Sequence, residues 1–139
     1  MKKVLIKIKG TQGADDEQAV IELATEGVMR QFEDEYILSY SDDQTVEGSN
    51  TKTQLTVKGD KTVILERRGD LNSRLVITEG ERNQCLYAIP QGSLTLGIYG
   101  KEVKCNLNES GGRLKMAYAI DANLEPLSEN TVEITVEER

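Results

Sequence analysis

Val4, Ile6 and Ile8 are spaced two apart, with Leu5, Lys7 and Lys9 around them, and this period of two recurs along most of the chain. Thr53, Leu55 and Val57 alternate with Lys52, Gln54 and Thr56. Leu114, Met116, Tyr118 and Ile120 alternate with Lys115, Ala117 and Ala119, and Val132, Ile134 and Val136 alternate with Glu133, Thr135 and Glu137. Successive side chains of a strand leave opposite faces of a sheet, so each run presents one face to a core and one to water. Turn residues separate almost all of the runs. Antiparallel strands joined by short connections follow, because no stretch offers the long helical crossover that a parallel sheet requires. Ten or so such strands laid out flat would leave two open edges. Closing the sheet removes them, so the pattern predicts an all-β fold, a single antiparallel up-and-down barrel spanning residues 1–139.

The strands expected are 3–12, 36–41, 51–58, 62–68, 73–78, 84–89, 93–99, 103–107, 113–120 and 131–137. Gly59-Asp60 reads as a hairpin turn between two β-branched runs. Gly100-Lys101 reads as another turn, and a loop holding Pro126 is expected before the last strand. Residues 17–32 are ambiguous. Val20, Leu23, Ala24 and Val28 suit a helix with Asp16 as its cap, whereas Ile21, Leu23, Thr25 and Met29 suit a strand. Local propensity favours the helix, but Gly27 in its middle would cost about 1 kcal/mol relative to Ala.

A formal net charge of −7 argues against nucleic acid and against an anionic membrane surface as partners. The dense basic spots are Lys2-Lys3 and Arg67-Arg68. No segment approaches the roughly 20 apolar residues needed to cross a bilayer as a helix. Lysines interrupt the first apolar run, so it reads as a strand rather than a signal-peptide core, and a soluble, cytoplasmic protein is expected. In that compartment Cys85 and Cys105 should be thiols, and each reads first as a small packing residue.

From Val63 onward the chain resembles the YwiB-like family of small proteins from Gram-positive bacteria, grouped with calycin-type, lipocalin-like β-barrels. The residues that carry the likeness are Arg67-Arg68-Gly69, the strand Ser73-Arg74-Leu75-Val76-Ile77 closed by Glu79-Gly80, and Cys85-Leu86-Tyr87. Pro90-Gln91-Gly92, the strand Ser93-Leu94-Thr95-Leu96, Gly111-Gly112 and the strand with Tyr118 follow in the family's order. Upstream, Glu26-Gly27, Tyr36 to Tyr40 with Asp42-Asp43, and Gly48 to Thr53 are also similar. The chain departs from the pattern at Tyr99-Gly100, where a Thr is expected. The resemblance implies a calycin-like barrel and a strand, not a helix, over 20–31. It implies no substrate, cofactor or catalytic residue.

The chain has no histidine, which excludes Ser-His and Cys-His nucleophiles and His-based metal sites. The acidic clusters Asp15-Asp16-Glu17, Glu33-Asp34-Glu35 and Asp42-Asp43 fall in expected turns or strand ends and match no dedicated calcium loop, so neither a metal nor another cofactor is expected. Parity gives one chemical candidate. If Val63 and Leu65 point inward, so does Arg67, which could then reach solvent at the strand end, pair with an inward acid, or bind a ligand carboxylate or phosphate. Arg68 should face outward. Tyr40, Tyr87 and Tyr118 can fill a barrel interior or line a ligand cavity.

These residues predict a protein that is not an enzyme and that binds a small ligand inside the barrel, with Arg67, Tyr87, Tyr118 and Tyr40 as binding residues. The alternative is an interaction or structural module that docks a partner, or a second copy as a homodimer, through a barrel face or an exposed edge strand, and an outward apolar patch with residues such as Val20, Val28, Ile37 or Ile64 would support it. A hydrolase or isomerase using paired carboxylates ranks last, because none of the plainly patterned strands carries an inward acid.

Overall fold

Val4, Ile6, Leu38, Val57, Val63, Ile77, Ile98 and Leu114 are fully buried, while Lys3, Lys7, Lys9, Lys58 and Lys115 beside them in sequence are exposed. The alternation read from the sequence is therefore realised as an inside and an outside. The computed structural model describes residues 2–14, 17–41, 52–59, 61–69, 73–89, 92–108 and 110–138. Its strands are β1 (Lys2–Ala14), β2 (Glu17–Phe32), β3 (Glu35–Ser41), β4 (Lys52–Lys58), β5 (Thr62–Arg68), β6 (Ser73–Thr78), β7 (Arg82–Ile89), β8 (Gly92–Asn108), β9 (Gly111–Ala122) and β10 (Glu125–Glu138). Each strand runs antiparallel to its sequence neighbour, and β1 closes the ring on β10 from Val4↔Glu138 to Gly13↔Glu129. The result is an up-and-down β-barrel.

Residues 17–32 are one long strand. It pairs with β1 from Lys2↔Met29 to Ala14↔Glu17 and with β3 from Gly27↔Tyr40 to Phe32↔Glu35. Thr25 and Met29 point into the core, as the strand-like spacing required. Two pairing partners outweigh a helix preference of a few tenths of a kcal/mol per residue. Gly27 has a steric reason: a Cβ there would collide with the Ile6 side chain and the Ser39 carbonyl oxygen.

Two expectations are corrected. Gly100-Lys101 is not a reversal: β8 continues through it to Asn108, and its register with β9 shifts between Gly100 and Glu102. That bulge moves the inward parity from Leu96 and Ile98 to Val103 and Cys105, which is the phase change that imitates a turn in sequence. Gly100 is needed because the β6–β7 turn docks on it, with the Gly80 N–H donating to the Gly100 carbonyl at 2.8 Å and the Gly100 N–H donating to Glu81 at 3.1 Å. Pro126 also lies within a strand, next to a register irregularity of β10 between Pro126 and Ser128.

The wall changes character between β6 and β7, where the register holds a single pair, Ser73↔Tyr87. Side chains stand in for ladder bonds there. Asn83 Nδ2 donates to the Val76 carbonyl at 3.3 Å and to Thr78 Oγ1 at 3.2 Å, and the Val76 N–H donates to Cys85 Sγ at 3.3 Å. Neither Cys85 nor Cys105 forms a disulfide; Cys85 is buried and packs as a small core residue.

Candidate functional site

The two ends of the barrel interior differ. At the end carrying the β2–β3 and β4–β5 connections, Val4, Val57, Val63, Ile77 and Val136 belong to one continuous apolar core. At the other end the interior opens into a cavity of about 380 Å³. Ile8, Leu55, Leu65, Met116 and Ile134 form its apolar walls, and Tyr40, Arg67, Tyr118 and Asn130 supply polar groups.

Sheet register places these groups. A row of register partners runs Tyr40↔Thr53, Thr53↔Arg67, Arg67↔Ser73 and Ser73↔Tyr87 through β3, β4, β5, β6 and β7. Tyr40 is half-buried and Thr53 between it and Arg67 is buried. Arg67 shares the parity of Val63 and Leu65 and lines the cavity from the exposed end of β5. Arg68 faces outward as expected and reaches Glu66 at 3.4 Å. The side chain of Tyr87 lies outside the described residues, as do Asp15, Asp16, Asp42 and Asp43.

Tyr118 comes from the opposite wall. The β9–β10 hairpin lies across the ring of strands from β5. Tyr118 is buried, and its strand neighbours at that level are Gly100 on β8 and Asn130 on β10. Burial pushes the Tyr118 phenol above its ordinary pKa, and the positive charge of Arg67 pulls it part of the way back. The phenol is thus a neutral O–H donor at physiological pH, within the electrostatic reach of a guanidinium.

Asn130 was not among the expected site residues. It is buried, lines the cavity beside Tyr118, and its Nδ2 donates to Ser128 Oγ at 3.1 Å. Its parity with Val132 and Ile134 was the available signal. The weak strand propensity of Leu127-Ser128-Glu129-Asn130 hid it, because the strand was expected to begin one residue later. Glu22 reaches the rim of the cavity, but it is exposed and pairs outward with Lys9 at 4.0 Å.

The arrangement can hold a small, mainly apolar body beneath a few fixed polar groups. The crystal structure of ywiB protein from Bacillus subtilis has the same fold, with a TM-score of 0.87 over 99% of this chain and 92% of that chain at 23% identity. No curated protein matches the chain. Residues 6–134 match the family described as "Domain of unknown function (DUF1934)", and the chain belongs to that family.

Proposed function

We propose that this barrel is a binding protein, not an enzyme, which takes a small organic molecule into the cavity at its open end. One observation carries the reading: an otherwise filled barrel stops being filled where Tyr40, Arg67, Tyr118 and Asn130 converge above apolar walls. A volume of about 380 Å³ falls within the range of roughly 300–1,000 Å³ found for small-molecule pockets. Among the described residues the cavity holds no pair of inward carboxylates for acid–base work, and the chain has no histidine. Ion pairs Lys7–Glu137, Lys9–Glu22 and Arg113–Glu133 occupy the outer face of the long strands. Charges there do not suit a lipid-facing barrel wall and favour an aqueous, cytoplasmic setting.

Docking through an outer face has less support. Ile64 is buried, and the exposed Val20, Phe32 and Leu86 are divided between β2 and β7, on opposite sides of the ring. The test is a neutral, polarity-sensitive dye. N-phenyl-1-naphthylamine should brighten on mixing with the protein, and Leu23→Trp, which fills the cavity from β2, should abolish the gain without lowering the melting temperature. No gain at any soluble dye concentration, or an equal gain in the filled variant, sinks the reading.

A further inference from the structure

We infer that the ligand of this cavity is a small organic monoanion whose carboxylate lies between Arg67 and Tyr118 and whose apolar part rests against Ile8, Leu55, Met116 and Ile134. The inference rests on the binding function proposed above and adds the chemical class of the ligand.

Charge count comes first. Among the described residues lining the cavity, Arg67 is the one cation, and the one acid, Glu22, turns outward to Lys9. No described carboxylate forms an ion pair with Arg67, although its outward neighbour Arg68 has Glu66. An inward guanidinium that no described carboxylate pairs with, over an apolar floor, is complementary to one negative charge brought by a ligand. A guanidinium presents parallel N–H groups that match the two oxygens of a carboxylate.

Geometry supplies the second donor. Tyr118 projects from the wall across the ring from Arg67, so a head group held between them is gripped from both sides. The phenol stays protonated there, because burial raises its pKa more than Arg67 lowers it, and a neutral phenol donates to a carboxylate without adding repulsion. A second full charge on the ligand would find no second cation among the described lining residues, which favours a carboxylate over a phosphate dianion. The cavity is near the small end of the ligand-pocket range, so a short-chain or compact acid fits and a long-chain lipid does not.

Isothermal titration of the full chain with octanoate, octanol, octylammonium and octyl phosphate separates the possibilities. Octanoate should bind about tenfold tighter than octanol, and octylammonium should bind more weakly than either. Arg67→Met should remove about tenfold of octanoate affinity and leave octanol within about twofold, with Tyr118→Phe giving a smaller loss in the same direction. Circular dichroism checks that both variants fold, and the comparison of octanoate with octanol on the unmodified protein needs no variant. If octanol binds as tightly as octanoate, the anion inference fails while the cavity function stands. If octyl phosphate binds about tenfold tighter than octanoate, the carboxylate assignment fails. If none of the four binds, this inference and the binding function fall together.

Discussion

Arg82 on β7 holds Asp121 on β9 through two parallel hydrogen bonds, 3.0 Å from Nε to Oδ2 and 2.5 Å from Nη2 to Oδ1, and it crosses β8 to do so. It passes over Gly97, where a Cβ would run into the guanidinium. Arg82 pairs directly with Tyr99 on β8, and Gly97 two residues earlier pairs directly with Asp121, so the pair ties three consecutive strands together. The same carboxylate accepts the Leu124 N–H at 3.2 Å and so anchors the β9–β10 turn, in which Asn123 and Leu124 adopt positive φ of 52° and 70°. This staple holds the hairpin that carries Tyr118 and Asn130.

The staple has a pH signature. Its hydrogen bonds from Arg82 hold the Asp121 carboxyl below the ordinary carboxylate pKa. A carboxyl with a depressed folded pKa adds stability that is fully present above its unfolded pKa of about 3.9 and is lost as pH falls through the folded value. Urea midpoints of the unmodified protein and Asp121→Asn should therefore differ by a constant amount above about pH 5 and converge as the solution is acidified below pH 4. A gap that does not change with pH would contradict the assignment.

Gly97 and Gly27 should respond differently to alanine. At Gly27 the added methyl meets the Ser39 backbone, which cannot step aside, and Gly27→Ala should cost about 1–3 kcal/mol by overpacking. At Gly97 the nearest atoms are those of the Arg82 guanidinium, a side-chain end that can swing away, so the cost should be smaller and should come from losing the Asp121 pair. Gly97→Ala combined with Arg82→Met should then be little worse than either alone in a denaturation double-mutant cycle. Full additivity would show that the glycine has another role.

Tyr118 should be visible in an alkaline absorbance titration. Its phenol should ionise above the usual value of about 10, and Tyr118→Phe should remove that late component. Arg67→Met should move the component to still higher pH, because the positive charge of Arg67 opposes the effect of burial. A downward move, or none, would show that the two groups do not interact.

The filled and open halves of the interior predict unequal costs for the same deletion. Leu38 is fully buried in the packed region, and Leu38→Ala should cost about 2–5 kcal/mol. Leu23 is half-buried beside the cavity, and Leu23→Ala should cost less, since its neighbours already face open space. Equal losses in chemical denaturation would mean that the cavity is not open in solution.

The inward direction of Arg67 could be read from Val63 and Leu65, four and two residues before it, because strand parity is carried within the strand itself. The bulge in β8 could not, since a phase change caused by one extra residue and a phase change caused by a turn leave the same local pattern. What separates them is the docking of Gly80 and Glu81 on Gly100, a contact made from another part of the chain. Asn130 was missed for a related reason: its own neighbours are poor strand formers, and the ladders to Tyr118 on β9 and to Gln12 on β1 hold them extended.

Alternation of Val4, Ile6, Leu55, Val57, Leu114, Met116, Val132 and Ile134 with polar residues determined by itself that this chain forms a sheet with one dry face, because the side-chain direction of a strand depends only on counting by two. Closure of the ring decided the rest. Two long ladders made residues 17–32 a strand against their local preference. The pairing of β1 with β10 brought Arg67 and the β9–β10 hairpin to face each other across an interior that neither segment encloses alone.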